Sequence, residues 1–540
     1  MAGKIRINIK YWIIGTIVLL LCIPIFIIFS HLFGTPTENW YHIYDNLLAD
    51  YLTNTVIIVL GVSLITLFYG IGAAWCITRF ELPFKNTLEW LLILPIAIPT
   101  YINGFAYSGL VDYAGPIRVF LRNVVGWDEI YFDIMNIYGV IWVMATVLYP
   151  YVFLSARTAF ARQAGRLQEA ASSLGRSKIN SFFSVVLPVA RPAIVAGLLL
   201  VVMETLNDYG TVKYYGVPTF TTGIFRAWLS LGDLQSAIYL SSMLMSLVFS
   251  IILLEKWQRG RAQYESGEKN DATPKQPLSG IKKWLALFMC VLPVLTGLFI
   301  PLFQLLYWSY FSWTAVVDAA FMEIIYNSFY LAGFAAIIVA VLAILLNYAV
   351  KLVRSQKWEN IAKITMLGYS VPGAVIAVGI MIMIIGLDKY LIALLNETFD
   401  IKIKLLITGS VFALLYAYLV RYFAVGFGPM EAAFKSLPNS IGEAGRSLGS
   451  NPLRNLIRLD VPILSKAMIG TLLLVFVDVM KELPLTLILR PFNFPTLATN
   501  AFQYANDEML TKSAPSSLLI ILIGMIPVFL LNRLINTNKK

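Results

Sequence analysis

Gln168-Glu169-Ala170-Ala171-Ser172-Ser173-Leu174-Gly175, with Pro188 thirteen residues further on, returns 274 positions later as Gly442-Glu443-Ala444-Gly445-Arg446-Ser447-Leu448-Gly449, with Pro462. The same shift lays Ala159-Phe160 on Ala433-Phe434 and Leu198-Leu199-Leu200 on Leu472-Leu473-Leu474. One residue less lays Asn54 on Asn327 and Pro99 on Pro372. Coincidence of so many identities at one offset, glycine and proline among them, marks an internal duplication. Each copy of the polar stretch reads as a short amphipathic helix, a glycine stop, a second short helix and a proline that opens the next segment.

The flanking sequence is apolar. Of 540 residues 59% are hydrophobic and 13% charged, where a soluble domain carries nearer a quarter charged residues. The apolar residues gather in blocks of about 20, enough to cross a bilayer core of about 30 Å. Twelve blocks are predicted as transmembrane helices: 11–33, 54–77, 88–110, 136–156, 190–212, 238–256, 284–310, 327–350, 361–386, 405–428, 464–486 and 515–534. In lipid, backbone groups must pair within their own segment, so helices are expected, with Pro95, Pro99 and Pro372 as kinks. Alternate loops, including both repeated polar stretches, hold thirty of the 41 Lys and Arg residues. By the positive-inside rule these loops and both termini are expected in the cytoplasm. The net charge of +11 follows from this placement and calls for no nucleic-acid partner. The first span, behind Lys4, Arg6 and Lys10, reads as an uncleaved anchor. Cys22, Cys76 and Cys290 all fall in spans and imply packing, with no disulfide framework.

The predicted organisation is an N-terminal anchor and outer loop (1–50), a first six-helix unit (51–257), a polar linker (258–283), an extra helix and outer loop (284–321), a second unit (322–535) and a short tail (536–540). An even number of spans per copy makes the copies parallel, with an axis along the membrane normal and a pathway expected on it.

Small residues beside a glutamate give each repeated loop a surface that another protein can approach closely. The alternative is a hairpin without a partner: Ser440-Ile441-Gly442-Glu443 fits a capping box, so Glu443 could simply cap. Arg166 at the corresponding place in copy one cannot cap, so the shared glutamate needs another cause. Both loops resemble the Glu-Ala-Ala loop of binding-protein-dependent ABC importer permeases. The resemblance implies an all-α integral membrane protein of about twelve transmembrane helices, built as two parallel pseudo-symmetric type I ABC importer permease domains. It further implies that Glu169, Ala170, Ala171 and Gly175, with Glu443, Ala444, Gly445 and Gly449, dock two cytoplasmic ATPase subunits, one per half. Gly445 where copy one has Ala171 is the one departure. The resemblance covers roughly 50–257 and 322–535.

Beyond each loop the next span carries two acidic residues that coincide under the same shift: Glu204 and Asp208, Asp478 and Glu482. A spacing of four places each pair on one helical face. Charges at bilayer depth cost about 2.5–3.5 kcal/mol on insertion scales, which favours a functional or solvated place for them. Up to four carboxylates are thus expected along one route, with Tyr209, Tyr214 and Tyr215 nearby, a donor set suited to a hard, highly charged cation held in transit. The alternative is an outer mouth in which they are solvated or paired with Lys213 and Lys481. Asn207-Asp208-Tyr209-Gly210-Thr211 and Phe220-Thr221-Thr222-Gly223-Ile224-Phe225-Arg226 resemble fused permeases of bacterial ferric-iron importers. That resemblance implies iron(III) as the substrate and an iron-binding periplasmic protein docking on loops 213–233 and 487–512. Fused permeases of this layout also serve thiamine and some phosphonates.

There is no Gly-x-x-x-x-Gly-Lys-Ser/Thr loop to hold a nucleotide, and no catalytic triad or metal-hydrolase cluster; the two histidines, His31 and His42, lie near the outer face. The chain is therefore expected to bind no cofactor and to perform no catalysis, with ATP and Mg used by the partner ATPase in a bacterial inner membrane. A secondary transporter with parallel repeats accounts for the duplication and the acidic residues, but leaves the paired loops unexplained.

Overall fold

The computed structural model of the chain describes residues 2–126, 133–161, 173, 175, 177–259, 276–399 and 406–537. Among them, eleven helices are long and apolar enough to cross a bilayer. A bent pair, Lys85–Ala97 and Thr100–Val125, with its arms at 96°, is long and apolar enough only when its two parts are taken together. The first half contains α1 (Ala2–His31), α2 (Leu48–Arg79), α3 (Lys85–Leu91), α4 (Thr100–Val111), α5 (Ile137–Ala159), α6 (Leu187–Asn207), α7 (Gly210–Tyr214) and α8 (Leu234–Arg259). The second contains α9 (Ile281–Val294), α10 (Ile300–Val316), α11 (Ala319–Val353), α12 (Gly373–Phe399), α13 (Val411–Ser436), α14 (Asn439–Ser447), α15 (Val461–Met480), α16 (Pro484–Leu489) and α17 (Leu510–Thr537). In each half three long helices, α2, α5 and α6 or α11, α13 and α15, pack on one another.

The duplication extends to individual hydrogen bonds. Asn54 Nδ2 donates to the Pro218 carbonyl at 2.9 Å, and Asn327 Nδ2 donates to the Pro495 carbonyl at 3.4 Å. Thr219 with Thr222, and Thr496 with Thr499, close the same capping box at the start of the helix that follows.

The spans are less continuous than their hydropathy suggests. Pro99 and Pro372, expected as kinks, stand at helix boundaries: α4 begins at Thr100 and α12 at Gly373. A proline lacks an N–H and pushes the residue before it out of the helical region, and Ile98 and Val371 are both extended. The blocks 190–212 and 464–486 break as well, at Asn207 and Met480, and each resumes as a short helix, α7 or α16.

The two extra spans each reach across to the opposite half. α1 lies on α11 and α12 of the second half, where Tyr416 Oη donates to the Leu20 carbonyl at 2.5 Å. α9 lies on α2 and α10 on α4 of the first, while α10 also packs along α17 of its own half; Tyr107 Oη donates to the Thr296 carbonyl at 2.7 Å. Within the linker, Gln276–Pro277 pairs in parallel with Phe80–Glu81, holding that part of it beside the end of α2.

Candidate functional site

Two breaks, one in each half, face each other. The stretch before α4, the end of α6 and the middle of α5 meet α13, the end of α15 and Tyr369 around a cavity of about 90 Å³ between the halves. All four predicted carboxylates, Glu204, Asp208, Asp478 and Glu482, line it.

They do different work. Asp208 is the residue after α6 and is extended, so it does not share a helical face with Glu204. Its Oδ1 accepts from the Thr211 and Val212 amides at 2.9 and 3.3 Å, and its Oδ2 accepts from the Thr211 hydroxyl at 3.0 Å and from Thr100. Glu482, two residues past α15, accepts from the Leu485 and Thr486 amides at 3.1 and 3.2 Å. Each carboxylate satisfies the free amides at the start of a short helix, α7 or α16, as a capping side chain does. The one-face argument fails because a buried break needs a cap, and the second acidic residue of each pair supplies it. Thr221, from the Thr-Thr-Gly segment, donates to the Asp208 carbonyl at 2.8 Å and completes the turn.

Glu204 and Asp478 remain on their helices. Tyr369 Oη, from the second half, donates to Glu204 Oε1 at 2.9 Å. Asp478 pairs with Lys481 at 2.9 Å, whereas Lys213 pairs with none of the four among the described residues. Tyr209 lines the cavity, but Tyr214 and Tyr215 turn away to Ser108 and the Gly104 carbonyl. Sequence reasoning missed Tyr101, Tyr151, Tyr369, Tyr422 and Arg421 on the wall. Arg421, a cation in the middle of a predicted span, was the one visible signal. Asn207 Oδ1 and Gly373 N form a second bond between the halves at 2.6 Å. Among the described residues, no three acidic, His or Cys side chains converge to hold a metal ion.

Ile96, Tyr151, Tyr369, Asp478 and Lys481 also line a second, mostly apolar cavity of about 720 Å³, which reaches Asn86, Glu89 and Arg157 on the basic face. The Tyr369–Glu204 bond therefore sits in the wall that separates a central polar chamber from a wider vestibule.

No protein-family model matches the chain. It is 25% identical over 533 residues to an Fe(3+)-transport system permease protein, FbpB 2, of Haemophilus influenzae, covering 97% of this chain and 98% of that one. A putative ferric transport system permease protein, FbpB 1, of the same organism is 23% identical over 79% of this chain and 68% of its own. The sulfate transport system permease protein CysT of Salmonella typhimurium is 28% identical over 37% of this chain and 73% of its own. The chain is a fused, two-copy transport permease.

Of the permease's two repeated loops, the second lies wholly within the described residues. Residues 162–172, with Glu169, Ala170 and Ala171, lie outside the described residues. Gly175 and Gly449 both stand at positive φ, +81° and +75°, as the expected glycine stops require. In the second loop Ser440 lies inside α14, so no capping box forms. Glu443 instead accepts from Arg354 at 2.8 Å, and this guanidinium holds its carboxyl below the usual carboxylate range. Gly445 replaces alanine because a Cβ there would meet Asn455 Oδ1 at 2.5 Å. Ala444 and Leu448 flank Glu443 on the exposed surface, and Leu448 is 87% exposed.

The two loops are anchored by different chemistry. In the first copy Trp75 packs its ring 5.4 Å from Phe160 and 4.6 Å from Phe182. In the second, Tyr348 donates to the Pro452 carbonyl at 2.5 Å, and Lys351 pairs with Asp460 at 2.9 Å. Asp460 is buried, so removing its partner leaves an uncompensated charge that costs about 3–5 kcal/mol. Lys351→Met will lower the melting temperature of the detergent-purified permease, and Lys351→Met with Asp460→Leu will recover most of the loss.

Proposed function

We propose that the permease is the membrane subunit of an ATP-driven importer that passes iron(III) into the cytoplasm of a bacterium. The observation that carries this reading is the end-to-end similarity to a protein named for Fe(3+) transport, over 97% of this chain and 98% of that one. The cavity between the halves supports it, because its oxygen-rich wall of carboxylates and phenols suits a hard cation. In this reading the basic face and both termini are cytoplasmic. Two ATPase subunits dock on the repeated loops and use ATP and Mg, the chain itself holding no cofactor. A periplasmic iron-binding protein delivers the substrate to the opposite face, on loops 213–233 and 487–512.

Transport then follows from the geometry. The central chamber receives the ion, and the Tyr369–Glu204 bond and the rings of Tyr151 and Tyr369 close it from the vestibule. Movement of the docked loops shifts α11, to which the second loop is tied by Tyr348, Lys351 and Arg354. Proteoliposomes holding the permease, its ATPase and an iron-loaded binding protein will accumulate 55Fe only with ATP and Mg. Accumulation without any ATPase would identify a secondary transporter, and accumulation of thiamine or a phosphonate instead of iron would replace the substrate.

A further inference from the structure

The central chamber carries positive charge that a route for a bare cation does not need. Arg421 on α13 is 4% exposed and lies on the chamber wall. Its guanidinium donates to the Val371 carbonyl at 3.2 Å and stands 5.6 Å from the Tyr422 ring centre. Among the described residues it forms no ion pair, and its Nε has no hydrogen-bond partner. Tyr101, on the wall contributed by the other half, is likewise 4% exposed with an unpartnered hydroxyl. Buried polar groups in native proteins are nearly always satisfied, so two orphans on one cavity wall mark a place for a polar ligand.

Lys481 adds a second cation to the same wall, paired with Asp478. The 274 shift places Val147 and Asn207 opposite Arg421 and Lys481. Both cations are therefore departures from the duplicated plan, and a charge at this depth is costly enough to need a cause. Arg421 Nη1, Glu482 Oε1 and Asn207 Oδ1 converge around Gly373, at 3.1, 3.1 and 3.3 Å from where a Cβ would stand. Positive and negative groups thus face one small space.

A bare trivalent ion fits this wall poorly. No three ligating side chains converge among the described residues, Asp208 and Glu482 are occupied as caps, and a guanidinium repels the ion. The chamber, of about 90 Å³, also exceeds the ~10–15 Å³ that a single water or bare ion needs. We infer that the chamber binds iron(III) together with a small oxyanion that coordinates it. Arg421 and Lys481 contact the anion, Tyr101 donates to it, and Glu204 and Asp478 face the metal. Oxyanions suit this role because their hard oxygens bind iron(III) while others accept from a planar guanidinium. The inference rests on the iron reading above.

The test is a double-label uptake with the intact permease, its ATPase and binding protein in proteoliposomes. The binding protein is loaded with 55Fe and, in separate arms, with 32P-phosphate, 14C-carbonate or 14C-citrate. One of the anions is expected to enter with iron in constant ratio. Arg421→Gln is expected to cut that anion's entry about tenfold, the scale of one lost charge-assisted hydrogen bond, and Arg421→Lys to retain part of it. The wild-type measurement stands even if the glutamine variant fails to fold. Iron entering with none of the three anions, or all three anions staying outside whatever iron does, overturns the inference. An anion entering while iron stays outside overturns the iron reading and leaves the anion site standing.

Discussion

Exchanging Glu169 and Glu443 together for arginine will strip the ATPase from the purified complex and bring uptake to background. Glu443 sits on an exposed surface: its side chain is 52% exposed, Gly442 and Ala444 flank it, and Leu448 of the same loop is 87% exposed. Interfaces concentrate their energy in such central charged and apolar anchors, so a charge reversal costs about tenfold or more in affinity per loop. Two loops that engage at once multiply the loss. The bond to Arg354 is exposed and adds little to the fold, so the permease itself will remain intact. Arg354→Glu combined with Glu443→Arg separates the two roles. That swap re-forms the pair between the end of α11 and the loop yet still presents the wrong charge outward. Co-purification of the ATPase at the wild-type ratio with the Glu169→Arg, Glu443→Arg variant would sink the docking assignment.

Glu204→Gln with Asp478→Asn will reduce 55Fe uptake by at least about tenfold, with the ATPase still co-purifying. Four carboxylates and two cations line the chamber, a formal charge of −2, and the double variant brings it to zero. A pair of unit charges about 4 Å apart is worth about 4 kcal/mol at the effective dielectric of a protein surface. Removing two attractive charges from the path of a trivalent ion therefore weakens entry well beyond tenfold unless water screens it. Gln at 204 can still accept from Tyr369, so the contact between the halves is kept. Asp208→Ala makes the contrast: it removes a cap and is expected to lower stability by about 1–2 kcal/mol. Wild-type uptake kinetics in the Glu204, Asp478 double variant would show that these carboxylates do not meet the substrate.

The duplication was legible because its anchors are residues with few substitutes. Gly175 and Gly449 stand at positive φ, and Asn54 and Asn327 each donate to the carbonyl of a proline on a distant turn. Such jobs keep residue identity at a constant offset. The acidic pairs were found by the same offset, but their geometry was misjudged. Hydropathy cannot separate an unbroken span from one interrupted by a break of two or three residues, since Asp208-Tyr209 and Lys481-Glu482-Leu483 are short against about 20 apolar residues. Tyr369, Tyr101 and Tyr151 could not be singled out, because aromatic residues are common in membrane helices and their facing one cavity is a long-range fact.

Sequence by itself determined that this chain is a doubled set of membrane helices with one polar loop of small residues and a glutamate in each half. Apolar length and glycine or proline at fixed spacing are local quantities, and the bilayer and the backbone act on them locally. Only the tertiary structure decided which carboxylates cap and which face the chamber, and that Arg421 and Lys481 stand among them. Those roles depend on which amide, hydroxyl or charge arrives from the other half, as Tyr369 does at Glu204 and Gly373 at Asn207. Partners separated by about 165 residues are brought together only by the packing of the two copies against each other.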